Sequence, residues 1–504
     1  MGQNEETPDY RPIKDAHKTL GLWSMRRALA VAFSAAIVLL VAAWFLVLWL
    51  LGSPSQAKTK PLETKDLLEL LKLVFALVAG IGALVALVTA YRRQRVDEAA
   101  GERAERVQAH AEEIARDNAH DATERRVTEL YGQAIDQLGH DRAAVRLGGL
   151  YSLVRLGQDH PQHRQTVIDV ICAYLRMPFQ PPSAPSEDTG DAAQELQVRV
   201  TAQRLLQHHL SARLPEQTGA GTYWGDIDID LTGARLINFD FTNCRPRKTI
   251  FAGTYFSGYA AFDGVTFGGY AEFGEAKFEG SAQFSGATFR GDAMFGKTAF
   301  DDHAKFDGVT FGGVAWFDGA LFNGIAGFGA TTFSGYATFR EATFYEVWFD
   351  ATFSKEVRFD KATFGDTVWF GEATFGDEAW FEQVKFSWGV TFTESRFVGN
   401  AWFSKTKFDG ESGFEGVRFS GYVGFSEAAF NGDVSFWEAK FSGDTWFRET
   451  RFSGKVNFGE AEFSNPPTFD KAVASRSSDI HVWPAPWRTE ELPSNADMCR
   501  LVSQ

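Results

Sequence analysis

FSGATFRGDAMF, from Phe284 to Phe295, contains the rule that decides the fold: phenylalanine returns after five residues, then after six. Extended in both directions, this spacing runs from Phe251 to Phe469, and all 41 phenylalanines in that stretch fall on its grid. A residue type that recurs at fixed intervals over so long a stretch occupies equivalent places in stacked copies of one small unit, because a single unit cannot bury its own apolar face. About half the chain therefore reads as a solenoid. One interval is irregular: Phe339 to Phe359 takes 20 residues, through Phe344, Phe349 and Phe353, which predicts a deletion at two corners.

The grid begins as a plain period of five at Leu231, Leu236 and Phe241, with Pro246 where the next apolar residue belongs. Two residues before most anchors stands a small or compact residue, such as Ile229, Ala234, Thr249 or Thr254. The A-x-F pattern of Ala287-Thr288-Phe289 and Ala342-Thr343-Phe344 resembles the pentapeptide-repeat family, here of a membrane-anchored bacterial type. That resemblance implies a right-handed quadrilateral β-helix with four five-residue faces per coil, over residues 222–470. It implies little about activity, since one scaffold carries different functions. This chain departs from the plain form by one extra residue in alternate faces, giving 22 residues per coil. The insertion is expected at a corner, where Gly recurs because it tolerates positive φ. Coils spaced by ~4.8 Å would give about ten turns and a rod of roughly 50 Å, with both ends needing cover. The helical domain is one candidate cap, and the tail 471–504 with its aromatic, polyproline-like HVWPAPW (His481 to Trp487) is the other.

Residues 28–51 and 73–91 are two long uncharged apolar runs, each matching the ~30 Å of a bilayer core at helical rise. Two transmembrane helices, forming a hairpin over 28–91, are the reading. A signal peptide ending near Ala57 is the competitor, disfavoured by the length of the first run and by the second span. Arg and Lys crowd the outer flanks (Arg11, Lys14, Lys18, Arg26, Arg27; Arg92, Arg93, Arg95, Arg103, Arg106), against Lys58, Lys60 and Lys65 between the spans. This places the tail 1–27 and the C-terminal bulk in the cytoplasm of a cell with a multi-pass membrane anchor. Small residues at four-residue spacing (Ala28, Ala32, Ala36; Gly82, Ala86, Ala90) allow close approach of the spans. No ionisable group inside either span suggests a transport path.

Residues 92–128 read as a charged helical stalk, and 129–214 as a small helical domain interrupted by a Pro-rich linker at 176–192. DRAAVRLGGLYSLVRLG (Asp141 to Gly157) resembles one helix of a HEAT-type repeat, and Gly148-Gly149 within it predicts a close helix contact. Asp141 and Asp159 suit helix N-caps. Cys172, Cys244 and Cys499 are odd in number and scattered, which fits neither a disulfide framework nor a zinc site and points to a reducing compartment.

The chain carries 50 Lys+Arg against 65 Asp+Glu, a net −15. Residues 221–470 hold 21 and 35 of these, so the solenoid accounts for −14. Such a surface disfavours nucleic acid and anionic lipid. No catalytic motif is present, and the His160/His163 and His208/His209 pairs read as solvated, so no enzyme activity, cofactor or metal is expected. The acidic wall reads as flat, without a cleft to shift pKa values. Residues 22 apart should stack, which aligns Trp380, Trp402 and Trp446 in one outward column with Arg358 and Gly424, and puts Trp369 on the opposite side. A second column runs Thr374, Arg396, Arg418, Lys440, beside Glu372, Glu394, Glu438 and Glu460. The charged columns could simply neutralise each other, and the Trp column is either a partner surface or shielded by long neighbours. The leading expectation is a membrane-tethered, non-enzymatic scaffold presenting Trp380, Trp402, Trp446, Arg396, Arg418 and Lys440 to a cytoplasmic protein. The alternatives are a DNA mimic acting on a topoisomerase or other DNA-binding protein, and a spacer that oligomerises through anchor or stalk.

Overall fold

The computed structural model describes residues 25–52, 64–181, 190–212, 222–476, 481–492 and 497–503. The tail with Arg11, Lys14 and Lys18, the connection with Lys58 and Lys60, and positions 182–189 of the linker lie outside the described residues. The chain divides into two compact units, Met1–Thr123 and Glu124–Gln504.

In the first unit, helix α1 (Met25–Gly52) and the start of helix α2 (Thr64–Leu138) carry the apolar runs. Against two expected spans, one helix among the described residues is long and apolar enough to cross a bilayer, Leu71–Leu138, while the apolar part of α1, Phe33–Leu46, is shorter. Unbroken helix joins the apolar run to the charged stretch because nothing between Arg92 and Thr123 interrupts it: no Pro and a single Gly, with exposed i,i+4 pairs such as Glu102–Arg106 and Glu112–Arg116.

In the second unit, the last turns of α2 pack with α3 (Ala143–Asp159), α4 (Arg164–Arg176) and α5 (Gly190–Leu210) around buried Leu150, Leu153, Ile171, Leu175, Ala202 and Leu206. Gly149 makes the close contact: a Cβ there would lie 2.7 Å from the Leu138 nitrogen and 2.8 Å from the Ala134 oxygen. The expected Asp caps are absent. Arg142 and His163 occupy the N-cap positions of α3 and of α4, without side-chain capping bonds. Asp159 is instead the last residue of α3, because a short 3-10 turn, Pro161–His163, intervenes before α4.

From Ile229 onward the chain winds as a four-faced parallel β-solenoid. Strands of one face form an 11-stranded sheet, so the solenoid makes about eleven turns. The register is 22 residues (Ala379↔Ala401, Ala293↔Ala315) and falls to 20 in the short coil (Ala337↔Val357). We number the faces in chain order, so that Phe381, Phe386, Phe392 and Phe397 anchor the first to fourth faces of one coil. The phenylalanines form the core: all are buried except Phe463, which is partly buried in the last coil. Rings stack on their equivalents in the next coil, as Phe381 on Phe403 at 4.8 Å and 8°, and rings of the opposite first and third faces meet edge-on, as Phe381 against Phe392 at 5.5 Å and 89°. Both geometries suit the ring quadrupole. Backbone bonds tie the coils, for example Phe381 N to Trp402 O and Phe403 N to Gly424 O, both 2.7 Å.

The two corner types differ physically, and here the glycine expectation is corrected. Five-residue steps turn through a β-turn closed by a bond such as Ala287 N to Phe284 O, with positive φ at the third residue. That place is taken by Gly286 (φ 66) but equally by Lys297 (55), Glu372 (61) and Glu394 (59). Apart from Gly258 (φ 73), the glycines of the inserted, six-residue corners do not have positive φ. They are there because coils nearly touch: a Cβ on Gly432 would lie 2.3 Å from the Gly410 oxygen, and one on Gly443 2.4 Å from that of Gly421.

Both ends are covered. At the first coil, two glutamine side chains act as strand mimics. Gln203 of α5 accepts from Ile237 N and donates to Ile237 O, both at 2.9 Å, and Gln165 of α4 does the same to Asp228. These amides satisfy edge groups that would otherwise be unpaired. At the far end, Met498–Ser503 pairs antiparallel with Val473–Ser475 and with Trp487–Glu491. Trp483 and Trp487 lie on Phe469 at 5.8 and 5.2 Å.

Candidate interaction surface

The outward column of the first face runs Trp316, Thr338, Arg358, Trp380, Trp402, Gly424, Trp446. Sequence reasoning placed Trp380, Trp402 and Trp446 together, and the structure does so by direct contact. Trp380 and Trp402 are 5.7 Å apart, and Trp402 reaches across Gly424 to stack on Trp446 at 6.1 Å and 5°. Gly424 permits this, since a Cβ there would sit 2.9 Å from Trp402. Arg358 covers Trp380 at 4.9 Å and is itself held by Glu356 at 2.6 Å and Asp360 at 3.5 Å. Burial pushes the Asp360 carboxyl up, against the pull of Arg358. All three rings are half-buried, and the indole nitrogens of Trp380 and Trp402 are covered. The column is thus a packed ribbon.

On the fourth face Thr374, Arg396, Arg418 and Lys440 stack in register and lead to Glu462. Only Lys440 forms an ion pair among the described residues of this column, with Glu462 at 3.1 Å. Arg396 and Arg418 are exposed, separated from Glu394, Glu438 and Glu460 by a groove of about 700 Å³. The adjacent acidic and basic columns therefore do not pair directly. The diagonally opposite corner does: Lys297–Glu275, Lys361–Glu341, Lys405–Glu427 and Lys471–Glu449 bridge successive coils at 4.0, 3.6, 3.9 and 3.1 Å.

The third face holds what the sequence reading missed. Trp348 and Trp369 are neighbours across adjacent coils, flanked by Tyr345 and Trp388 at the preceding corner. Their exposures are 55, 46, 52 and 64%, so this cluster, unlike the first-face ribbon, faces solvent. Past Trp369 the column shrinks to Thr391, Gly413, Ser435 and Asn457, leaving an open trough of about 530 Å³. The expected flat wall is corrected accordingly: alternation of indole and small outward residues carves hollows into it. Among the described residues no three His, Cys, Asp or Glu side chains gather to hold a metal.

A family model described as pentapeptide repeats matches residues 262–310, 306–352, 350–385, 373–418 and 392–440, in nine copies. Residues 262–440 are thus built of pentapeptide repeats. No curated protein and no solved structure matches it. The matched coils include the short one, so the irregularity lies inside the family's pattern. Two of the exposed aromatics, Tyr345 and Trp348, lie in that short coil.

Proposed function

We propose that this protein is a membrane-tethered, non-enzymatic scaffold whose solenoid presents a fixed side-chain array to another protein. A hairpin of two spans over 28–51 and 73–91 would anchor it, with both termini in the cytoplasm. The apolar helix Leu71–Leu138 supports the tether, and the Lys/Arg asymmetry supports the orientation. The single observation that carries the scaffold reading is the set of exposed aromatics Tyr345, Trp348, Trp369 and Trp388 on one face of the solenoid and its preceding corner. Rigid, solvent-facing indoles lose little entropy on binding and mark partner surfaces. An interaction role also accounts for the outward residues changing in kind from coil to coil while the inward ones stay Phe.

The test is affinity capture of the full chain from its own solubilised membranes, comparing wild type with the pair Trp348→Ala/Trp388→Ala and with Trp380→Ala/Trp402→Ala. The expected result is a protein retained by wild type and by the first-face variant but lost from the third-face variant. Identical captured sets in all three overturn the reading.

A further inference from the structure

The third face has an anchor, a track and a charge, and together they specify a class of ligand. The anchor is the aromatic cluster. Trp369 lies over Gly371, whose missing side chain makes the room: a Cβ there would be 2.5 Å from the indole nitrogen. Trp388 stands at the corner position that Gly410, Gly432 and Gly454 occupy in later coils, so its ring projects from a place where those coils have no side chain. The track is the floor of Thr391, Gly413, Ser435 and Asn457. From Trp369 to Asn457 it spans four coil steps, about 20 Å, the reach of roughly six extended residues.

The charge is on the rims. Glu411 and Asp433 line one side of the trough. Glu394, Glu438 and Glu460 line the corner on the other, exposed and without an ion pair among the described residues, in contrast to the Lys–Glu ladder of the diagonal corner. Lys455 is the one cation of the trough, at its far end. Indole faces attract cations through the ring quadrupole, and rows of unpaired carboxylates select against polyanions. We infer that the third face binds an extended cationic polypeptide, with a Lys or Arg side chain stacked at Trp369 and Trp388 and its following residues laid along the trough toward Asn457. This rests on the scaffold reading and names its partner class.

The experiment uses the full chain in detergent and a fluorescein-labelled octapeptide of alternating Arg and Thr, read by anisotropy at low and at high salt. Wild type should bind at low salt and weaken as salt rises. Trp369→Ala/Trp388→Ala should weaken binding about tenfold or more, as loss of aromatic anchors does. Glu411→Gln/Asp433→Asn should weaken it by a similar factor and flatten the salt dependence. Glu341→Gln/Glu427→Gln removes the same charge from the diagonal corner and should leave affinity within about twofold.

Equal loss in that control would mean diffuse attraction and overturn the proposal. Equal binding of an alternating Glu and Thr octapeptide, or no binding at all, would do the same. A wild-type dimer in sedimentation that the Trp369→Ala/Trp388→Ala pair dissociates would assign the face to a second copy of this chain and likewise overturn it. The two readings fail separately. A captured partner without octapeptide binding removes only the cationic class, whereas octapeptide binding without a captured partner removes only the scaffold.

Discussion

Two glycines test why this solenoid uses glycine at its corners. In Gly432→Ala the new methyl would stand 2.3 Å from the Gly410 oxygen and 2.4 Å from its carbon, about 1 Å inside ordinary van der Waals contact. The obstructing atoms are backbone, so the coils must separate locally. Overpacking of this kind costs ~1 to 3 kcal/mol, and the two adjacent coil-to-coil bonds, Ser412 N to Asp433 O and Val434 N to Lys455 O, are worth ~0.5 to 1.5 kcal/mol each if they stretch. The expected total is about 3 kcal/mol. In Gly416→Ala the φ of 65 is left-handed, but the nearest atom to the new Cβ is the flexible Glu394 Cγ at 3.6 Å. Glu394 and Glu438 already hold that conformation in the coils on either side. The strain of ~1 to 2 kcal/mol is partly offset by the lower entropy of the unfolded alanine chain, ~0.4 to 1 kcal/mol. Native-state hydrogen exchange on the full chain, read at the amides of residues 431–436 for Gly432→Ala and of residues 414–418 for Gly416→Ala, reports each cost locally. If Gly416→Ala costs as much as Gly432→Ala, or Gly432→Ala leaves exchange unchanged, the close-approach explanation is wrong.

Two further outcomes are expected. Trp483 covers Phe452, Phe458 and Phe469 at 5.5, 6.1 and 5.8 Å, so Trp483→Ala should uncap the last coil at ~3 to 5 kcal/mol, and exchange should rise from residue 447 onward while coils before Phe403 keep their protection. Uniform exchange along the whole solenoid would contradict this. His209 is buried, stacked on Trp224 at 4.3 Å and donating Nδ1–H to the Thr222 oxygen at 2.8 Å; burial lowers its pKa from 6.5, the hydrogen bond opposing. A neutral imidazole is therefore favoured in the folded state, and the unfolded chain binds the extra proton first. Stability of the helical domain should be full above pH 6.5 and fall as pH drops through 6.5 toward the folded-state value. Thermal melts of wild type and His209→Gln across that range should converge at low pH, and a wild-type melt that does not change with pH would exclude the effect.

Much of this architecture is legible because its core is written in one letter. Phe at five and six residues sets the inward anchors, and a 22-residue period is enough to put Trp380 beside Trp402 before any coordinates. The same arithmetic fails at the short coil. Subtracting 22 from Trp369 gives Val347, a buried residue, whereas the strand register pairs Trp369 with Trp348. One residue lost at a corner hid the aromatic pair. Trp388 was hidden differently: it sits off the column of outward residues, at a corner, and only the geometry shows that corner side chains project. The end caps were illegible for a third reason. Gln165 and Gln203 belong to no motif, and their amides matter only because two helices place them against unpaired edge groups of Asp228 and Ile237.

These misses share a cause, and it bears on how such a solenoid acquires a function. Every coil must satisfy the same backbone ladder and the same ring stack, so the inward sequence has little freedom, and information accumulates where the repeat is broken. The short coil brings Trp348 into line with Trp369 and continues one strand, Thr343–Trp348, through a corner that elsewhere mostly bends. A departure that cost folding without a return elsewhere would be easy to remove, since restoring two residues would restore the period. Its coincidence with Trp348 and Tyr345, two of the three most exposed aromatics of the solenoid, makes the third face, rather than the first-face ribbon, the surface on which to look for a partner.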